Sequence, residues 1–305
     1  MKRTLVLGTI VLSGAMAAAV VTAEQAAPAQ GRGGGGFPGG MPVTLGGGGG
    51  LIAIVVVLAF LFLGGGGGLG DLGSLTGQTV GPSGQPSGEL AQTCQTGQDA
   101  NERDDCRIVA VINSVQAYWS KTLRGYEGTR TRFFDGSIQT GCGPASSATG
   151  PFYCPRDHRV YIDLGFYDEL KRRFGAPGDF AQAYVLTHEI GHHVQSLLGT
   201  EERVRQAQQQ NPRSANELSV RMELQADCYA GIWGHSTSQR NILEQGDVEA
   251  GLNAAAAIGD DRIQRMSGSR VAPERFTHGS SAQRVEWFKR GLQSGRLDSC
   301  DTFGR

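Results

Sequence analysis

Three residues in the short stretch THEIGHH have the types and spacing of a metal-dependent hydrolase site: His188, Glu189 and His192. On a helix, two residues four positions apart lie about 40° apart around the axis, so both imidazoles can bind one metal ion. Glu189 lies about 100° from His188 and could take a proton from a water in an open coordination position. The HExxH pattern therefore predicts a catalytic Zn²⁺ site with Glu189 as general base.

This pattern needs a helix to position it. Gly178 and Asp179 supply a start signal, Gly199 supplies a stop signal, and apolar residues recur between them: Phe180, Tyr184, Leu186, Val194, Leu197 and Leu198. The alternative is a core helix with satisfied histidines, but two imidazoles and a carboxylate buried together without a metal would lack partners. His193 lies about 140° from His188, off the metal face, and is expected to be a surface or packing residue.

A catalytic zinc ion usually has three protein ligands, so a third ligand is required. Residues 216–235, NELSVRMELQADCYAGIWGH, predict a second helix that carries Glu223 and Asp227 on one face. We assign Glu223 as the third ligand and Asp227 as the carboxylate that orients a ligating histidine. The reverse assignment, with Asp227 as ligand, stays open. Taken alone, such a pair would also fit a solvated helix face.

The six cysteines all follow a Gly-rich region, and none forms a CxxC pair, which argues against a zinc ribbon or a thioredoxin-like site. The even count and the short loops favour disulfides made in an oxidising compartment. A structural role also suits Cys228, which points about 100° away from the Glu223 face. The candidate pairs are Cys94 with Cys106, Cys142 with Cys154 and Cys228 with Cys300.

The N-terminal part has a different composition from the rest. Of 305 residues, 39% are hydrophobic, 19% are charged and the net charge is −1, which gives no nucleic-acid signal. Of the 47 glycines, 25 lie in the first 90 residues, a region that cannot build a packed core. The predicted organisation is a signal-like segment (1–23), a Gly-rich linker (24–50), a membrane anchor (51–68), a tether (69–93) and a catalytic domain (94–305).

Two apolar runs in this region leave the topology open. Residues 5–21 resemble the hydrophobic part of a secretory signal, and LIAIVVVLAFLFL at 51–63 can reach spanning length with its flanking glycines. If both runs cross the membrane, the catalytic domain returns to the cytoplasm; if one crosses, the domain is translocated. Cysteine usage favours a single-pass membrane protein with the catalytic domain on the outer side.

The remaining segments predict an α+β domain, mostly helical with a small sheet. A strand at 158–164 precedes the HExxH helix, where it could pair with an extended substrate, and His158 at its end is expected on the surface. A hairpin is expected at 129–140, with its turn at Asp135 and Gly136. The other predicted helices are 101–123, 166–174, 247–266 and 281–292.

Six sequence blocks in register resemble one family: CGPASSATGPFYCP, VYIDLGFYDEL, THEIGHHVQ, ELQADCYAGIW, FTHGSSAQRVEWF and CDTF. This family is that of the neutral zinc metallopeptidases, bacterial membrane-anchored proteins with a Gly-rich N-terminal region. The resemblance implies a zincin-like catalytic domain that is anchored to a bacterial cell membrane and faces the periplasm or the exterior. The chain departs from the family by beginning like a secreted protein rather than with a charged stretch.

The ExxAD spacing is also similar to the CAAX prenyl protease class of gluzincins. That class carries a histidine and an arginine after the glutamate helix, and His278 and Arg284 could fill those places. The resemblance implies that both residues stabilise the oxyanion of a tetrahedral intermediate. The alternative for His278 is a loop histidine of no consequence.

These residues predict a membrane-anchored zinc metallopeptidase that acts on a peptide or protein substrate and has no nucleic-acid partner. Two other classes remain: a hydrolase of a non-peptide amide, such as a cell-wall amide, and a catalytically silent binding protein. Glu189 argues against the second, since a structural zinc site has no use for an uncommitted carboxylate.

Overall fold

The computed structural model describes residues 92–163, 165–176 and 178–304. They are mostly helical with small sheets, which agrees with the predicted α+β class. The helices are α1 (Gly97–Glu102), α2 (Asp104–Thr122), α3 (Phe166–Phe174), α4 (Asp179–Leu197), α5 (Thr200–Gln210), α6 (Ala215–Gln239), α7 (Asp247–Ala257), α8 (Asp260–Met266) and α9 (Ser281–Ser294). The strands are β1 (Arg130–Phe134), β2 (Ser137–Thr140), β3 (Gly143–Ser146), β4 (Phe152–Cys154) and β5 (Arg159–Asp163).

The predicted signal-like segment and membrane anchor lie outside the described residues. Within the described ranges, no helix is both long enough and apolar enough to cross a lipid bilayer. The predicted localisation, a single-pass protein of the bacterial membrane, is therefore wrong for the part of the chain that the structure describes.

Close helix packing brings the site-bearing segments together. A Cβ atom at Gly191 of α4 would lie only 3.2 Å from the carbonyl oxygen of Ala226 in α6. A Cβ atom at Gly231 of α6 would lie 2.1 Å from the carbonyl oxygen of Phe288 in α9. Any side chain at Gly231 would push α9 away, since real Cβ atoms do not approach a neighbour so closely. These glycines allow α4, α6 and α9 to cross at short range, with the ligand residues between them.

Aromatic side chains fill the core between these helices. Phe180 stacks on Trp233 with 5.9 Å between ring centroids, and Tyr184 meets Phe288 edge-on at 5.2 Å. The same buried cluster includes strand residues, so the sheet packs on the helical core: Tyr153, Val160 and Ile162.

The predicted hairpin at 129–140 is wrong. β1 pairs in parallel with β5, from Arg130 opposite Arg159 to Phe134 opposite Asp163, while β2 pairs antiparallel with β3. The chain does turn at Gly136, whose φ is 76°. However, β1 buries two phenylalanines and joins the core sheet, whereas the half-exposed β2 forms a separate two-stranded sheet.

The order β1-β5-β4 also corrects the expected site of substrate pairing. β5, the strand predicted at 158–164, is the central strand, and both of its edges are already paired. Among the described residues β4 is an edge strand instead, and it packs against α4.

The single helix predicted at 247–266 is broken in two. α7 ends at Ala257 and α8 begins at Asp260, with Gly259 in an extended conformation between them. Gly259 lies so close to the start of α9 that a Cβ atom would be 2.3 Å from the Ser281 nitrogen. This contact ends the helix and directs the Asp260 side chain towards the loop before α9.

Three disulfides form, in the pairs expected from the sequence: Cys94–Cys106, Cys142–Cys154 and Cys228–Cys300. The first joins the start of the described domain to α2, and the second joins the loop after β2 to β4. The third joins α6 to a 3₁₀ turn near the C-terminus, Leu297–Cys300.

Candidate metal centre

Two neighbouring helices present three metal-binding side chains to one another. His188 Nε2 lies 3.1 Å from Glu223 Oε2, and His192 Nε2 lies 3.5 Å from Glu223 Oε1. The ligand atoms of the three residues all lie within 4.8 Å of one another. All three side chains are buried, with 2–4% exposed. The structure thus brings together the three residues that the sequence predicted as ligands.

The chemistry of the contacts tests whether a cation fits. His188 Nδ1 lies 2.8 Å from Asp227 Oδ1, an oxygen that can only accept when the carboxylate is ionised. Nδ1 therefore carries the proton in a neutral imidazole, and Nε2 turns its lone pair towards the Glu223 carboxylate. His192 Nε2 is buried without a hydrogen-bond partner among the described residues. Nitrogen and oxygen lone pairs that converge in this way fit a divalent cation such as Zn²⁺.

In the absence of a metal, the pKa values of His188 and Glu223 are shifted by the charges of the neighbouring site residues. Burial opposes a positive charge on His188, but the Asp227 and Glu223 carboxylates outweigh it and raise the pKa to about 9. Burial also opposes a negative charge on Glu223, but His192 and His188 hold its pKa well below its usual range. In the metal-free protein, protons would therefore take over part of the role of a cation.

Asp227 belongs to a buried charged network behind His188. Arg284 donates to Asp227 through Nε at 2.8 Å and through Nη2 at 2.9 Å. Tyr184 donates its hydroxyl proton to Asp227 and lies 3.2 Å from Arg284 Nη2. Burial would raise the pKa of Asp227, but the Arg284 and His188 charges outweigh it and keep that pKa low. This places Asp227 behind a ligand, as the sequence suggested, rather than among the ligands.

The same contacts correct the expected role of Arg284. Its side chain is fully buried, and its nitrogens donate to Asp227, Tyr184 and the carbonyl oxygen of Ile258. Because the guanidinium is 0% exposed and makes these hydrogen bonds within the protein interior, it is not placed to reach a substrate oxygen. Arg284 is therefore placed to hold Asp227, not to act as the predicted oxyanion donor.

Glu189, the predicted base, is held by the edge strand. Its Oε2 accepts the N–H of Tyr153 in β4 at 2.9 Å. Burial raises the pKa of Glu189, although His188 and His192 oppose the rise. A carboxylate with a raised pKa beside two metal ligands is suited to receive and return a proton.

His278 is held by hydrogen bonds to Asp260, a residue that was not among the predicted site residues. Asp260 Oδ2 accepts the backbone N–H groups of Thr277, His278 and Gly279 at 2.7, 2.7 and 3.1 Å. Asp260 Oδ1 lies 3.0 Å from His278 Nδ1, so that nitrogen carries a proton. A charge on His278 would also lower the pKa of Glu223. The signal for Asp260 was the Gly-Asp-Asp triplet inside a supposed helix.

His193 and His158, two further histidines, behave largely as expected. His193 is buried and packs, with Nε2 2.6 Å from the carbonyl oxygen of Glu127 and Nδ1 3.2 Å from the Tyr153 hydroxyl. His158 is exposed, with its Nδ1 3.0 Å from the same hydroxyl. Gln195 was not among the predicted site residues, yet its Oε1 lies 2.8 Å from His192 Nδ1. The available signal was its place three residues after His192 on the same helix.

Comparisons with known proteins agree with this geometry. The family model described as "Putative neutral zinc metallopeptidase" matches residues 16–303. The "Uncharacterized protein YpfJ" of Escherichia coli (strain K12) is 50% identical over 229 residues, which cover 73% of this chain and 79% of the relative. The "Uncharacterized protein Rv2575" of Mycobacterium tuberculosis (strain ATCC 25618 / H37Rv) is 48% identical over 229 residues, 72% of this chain and 76% of the relative.

No solved structure matches the chain. The family model nevertheless includes every ligand candidate and every residue of the network behind them. The protein therefore belongs to the family of neutral zinc metallopeptidases.

Proposed function

We propose that this protein hydrolyses peptide bonds in a peptide or protein substrate with the help of one zinc ion. The observation that carries the proposal is the buried convergence of His188, His192 and Glu223, with the carboxylate of Glu189 beside them. A purely structural site would satisfy all its ligands and would not keep a further buried carboxylate of raised pKa next to them.

His188, His192 and Glu223 would hold the ion. When bound, zinc supplies Lewis acidity and makes a coordinated water more acidic. Glu189 takes a proton from the attacking water on its carboxylate and later returns it to the leaving amine. The Tyr153 N–H fixes one oxygen of Glu189, so the carboxylate is oriented before substrate arrives.

His278 stays a proposed donor to the oxygen that becomes negative as the carbonyl is attacked. Asp260 accepts from Nδ1 and orients the ring, and the Nε2 atom is the one that would donate to the substrate oxygen. Three backbone N–H groups keep Asp260 in place. Arg284 contributes indirectly, by holding the carboxylate that orients His188.

An extended chain is the substrate shape that fits. β4 is a sheet edge among the described residues, and its Tyr153 N–H contacts Glu189 directly. The Tyr153 N–H is already bound to Glu189, so a substrate that adds to this edge would pair with other backbone groups of β4 and would lie beside the proposed base. Backbone pairing recognises a peptide rather than an isolated amide, which supports a peptidase over a hydrolase of other amides.

Two buried carboxylates allow a sharp test of this proposal. Zinc content and hydrolysis of a peptide library should be measured for the parent protein, Glu189→Gln and Glu223→Gln, with and without a chelator. We expect Glu189→Gln to keep stoichiometric zinc and lose turnover, because only the proton acceptor is removed. We expect Glu223→Gln to lose zinc as well, because a neutral amide is a poor ligand.

Each contrary result has a specific meaning. Turnover near that of the parent in Glu189→Gln would remove Glu189 from the mechanism. A zinc-loaded parent that cleaves no peptide, but releases amine from cell-wall amides, would change the substrate class. A zinc-loaded parent that cleaves neither would leave a binding protein.

A further inference from the structure

We propose that two buried glutamines, Gln195 and Gln225, form a relay that fixes the tautomer and orientation of the ligand His192 and anchors it to the C-terminal end of the chain. The inference rests on the proposed zinc site and deepens it, by assigning positioning residues to the second histidine.

The relay is a continuous chain of hydrogen bonds across two helices. His192 Nδ1 lies 2.8 Å from Gln195 Oε1 on the next turn of α4. Gln195 Nε2 donates to Gln225 Oε1 on α6 at 3.1 Å. Gln225 Nε2 donates to the carbonyl oxygen of Cys300 at 3.0 Å.

Two backbone carbonyls give the relay its direction. A carbonyl oxygen can only accept, so the Gln225 nitrogen must face Cys300 and its oxygen must face Gln195. The Gln195 nitrogen also donates to the carbonyl oxygen of Met222 at 2.8 Å. Each of the two amides therefore donates to its own backbone carbonyl oxygen. Because that oxygen can only accept, the orientation of each amide is fixed.

The direction of the relay decides the state of the imidazole. With its nitrogen committed twice, Gln195 can offer His192 only its oxygen. Nδ1 of His192 must then carry the proton, and Nε2 keeps the lone pair that a metal needs. That Nε2 is one of the buried side-chain atoms that have no hydrogen-bond partner among the described residues.

Burial makes the relay obligatory rather than incidental. Gln195 and Cys300 are 0% exposed and Gln225 is 7% exposed, so water cannot easily replace a lost partner. The far end is secured by the Cys228–Cys300 disulfide and by a bond from the Thr302 hydroxyl to the Arg221 carbonyl oxygen at 2.7 Å. The C-terminal segment is thus linked to the proposed ligand His192 through this chain of hydrogen bonds.

The relay also sets the spacing of the ligands. Met222, which accepts from Gln195, directly precedes the ligand Glu223 on α6. One amide therefore contacts the histidine on α4 and the backbone beside the carboxylate on α6. Loss of this amide should change both the orientation of His192 and its distance from Glu223.

Three substitutions of similar volume test the relay in the full chain: Gln195→Met, Gln225→Met and Gln116→Met. Gln116 is the matched control, since it is a buried glutamine (6% exposed) whose partners, Tyr126 and Thr129, are neither proposed ligands nor members of the relay. The dissociation constant for Zn²⁺ is measured by competition with a chromogenic chelator. The urea midpoint of each metal-free protein is measured in parallel.

We expect Gln195→Met to weaken zinc binding by about 10–100-fold, as for loss of a group that orients a ligand. Gln225→Met should weaken it by about 3–10-fold, because it breaks the relay one step further away. Gln116→Met should lower the urea midpoint but leave the zinc dissociation constant unchanged. In proton NMR of the zinc-loaded parent, the His192 Nδ1 proton should exchange slowly, and Gln195→Met should accelerate its exchange.

The contrary outcomes are distinct. Parent-like zinc affinity in Gln195→Met and Gln225→Met would overturn the relay while leaving the zinc site intact. Equal weakening in all three variants would overturn it as well, because the effect would then follow lost stability. If Gln195→Met does not fold, Gln225→Met decides, and parent-like affinity there overturns the relay. A parent protein that binds no zinc would overturn the proposed function itself, and the relay with it.

Discussion

His188 and His192 lie one turn apart on α4, but the groups behind their Nδ1 atoms differ in charge. His188 faces the Asp227 carboxylate, which is paired in turn with the fully buried Arg284. His192 faces the neutral amide of Gln195. We call the Asp227–Arg284 pair the charged support and the Gln195 amide the amide support. Both are buried, and both place the proton on Nδ1, so the two histidines have the same tautomer.

The difference predicts how each support fails. A buried ion pair brings little net stability while it is complete, but removing one partner leaves an uncompensated charge in a medium that solvates it poorly. A neutral amide leaves at most unsatisfied hydrogen-bonding groups when it is lost. The charged support should therefore dominate folding stability, whereas the amide support should act mainly on the geometry of the metal site.

The largest expected effect comes from breaking the charged support at Asp227. Asp227→Asn keeps the size of the side chain but leaves the Arg284 charge without its partner. We expect the free energy of unfolding to fall by about 3–5 kcal/mol, as for other broken buried ion pairs. Urea unfolding of the metal-free protein, followed by circular dichroism, measures this loss.

A second ion pair on the same helix serves as the control. Arg221 Nη2 lies 2.7 Å from Glu217 Oε1, with 38% and 65% of the side chains exposed. Because water screens this pair, Glu217→Gln should leave the urea midpoint almost unchanged. Equal losses in the two variants would mean that burial does not distinguish the two pairs.

A smaller effect is expected from pH. The dependence of folding stability on pH should differ between the metal-free protein, in which His188 binds a proton, and the zinc-loaded protein. The pKa of His188 in the metal-free protein is raised from 6.5 to about 9, because the Asp227 and Glu223 charges outweigh burial. Stability from such a group is fully present below the unfolded pKa and is lost as pH rises through the folded pKa. The metal-free protein should therefore lose roughly 3 kcal/mol between about pH 6.5 and pH 9.

Urea unfolding between pH 6 and pH 9.5, with and without zinc, tests this dependence. Zinc requires neutral imidazoles, so the zinc-loaded protein should not lose stability over the same range. Asp227→Asn should flatten the metal-free profile, since it removes the charge that favours the protonated ring. A flat profile for the metal-free parent would show that His188 does not bind a proton in this way.

The parts of this site that could be predicted from the sequence are those set by local spacing. Helical periodicity alone placed His188 and His192 on one face of α4 and Glu223 with Asp227 on one face of α6. The bounds of α4 followed from Gly178 and Gly199, which adopt backbone conformations that disfavour other residues.

The parts that could not be predicted depend on partners far away in the chain. The break before α8 comes from the close packing of Gly259 against Ser281. The hydrophobic periodicity of residues 247–266 does not indicate this contact. The parallel pairing of β1 with β5 likewise joins segments that no local pattern connects. Arg284 was assigned by resemblance to a substrate role, but its partner Asp227 lies 57 residues earlier and holds it in the interior.

The smallest expected effect comes from removing one hydroxyl that donates to the charged support. Tyr184 donates to Asp227, so Tyr184→Phe should lower the free energy of unfolding by about 1–2 kcal/mol and weaken zinc binding only a few-fold, because Arg284 still holds the carboxylate. Tyr167 is the matched control, since its buried hydroxyl has no hydrogen-bond partner among the described residues. Tyr167→Phe should therefore be neutral or slightly stabilising. If both substitutions lowered the urea midpoint equally, the Tyr184 hydroxyl would contribute packing alone and would add nothing to the charged support of His188.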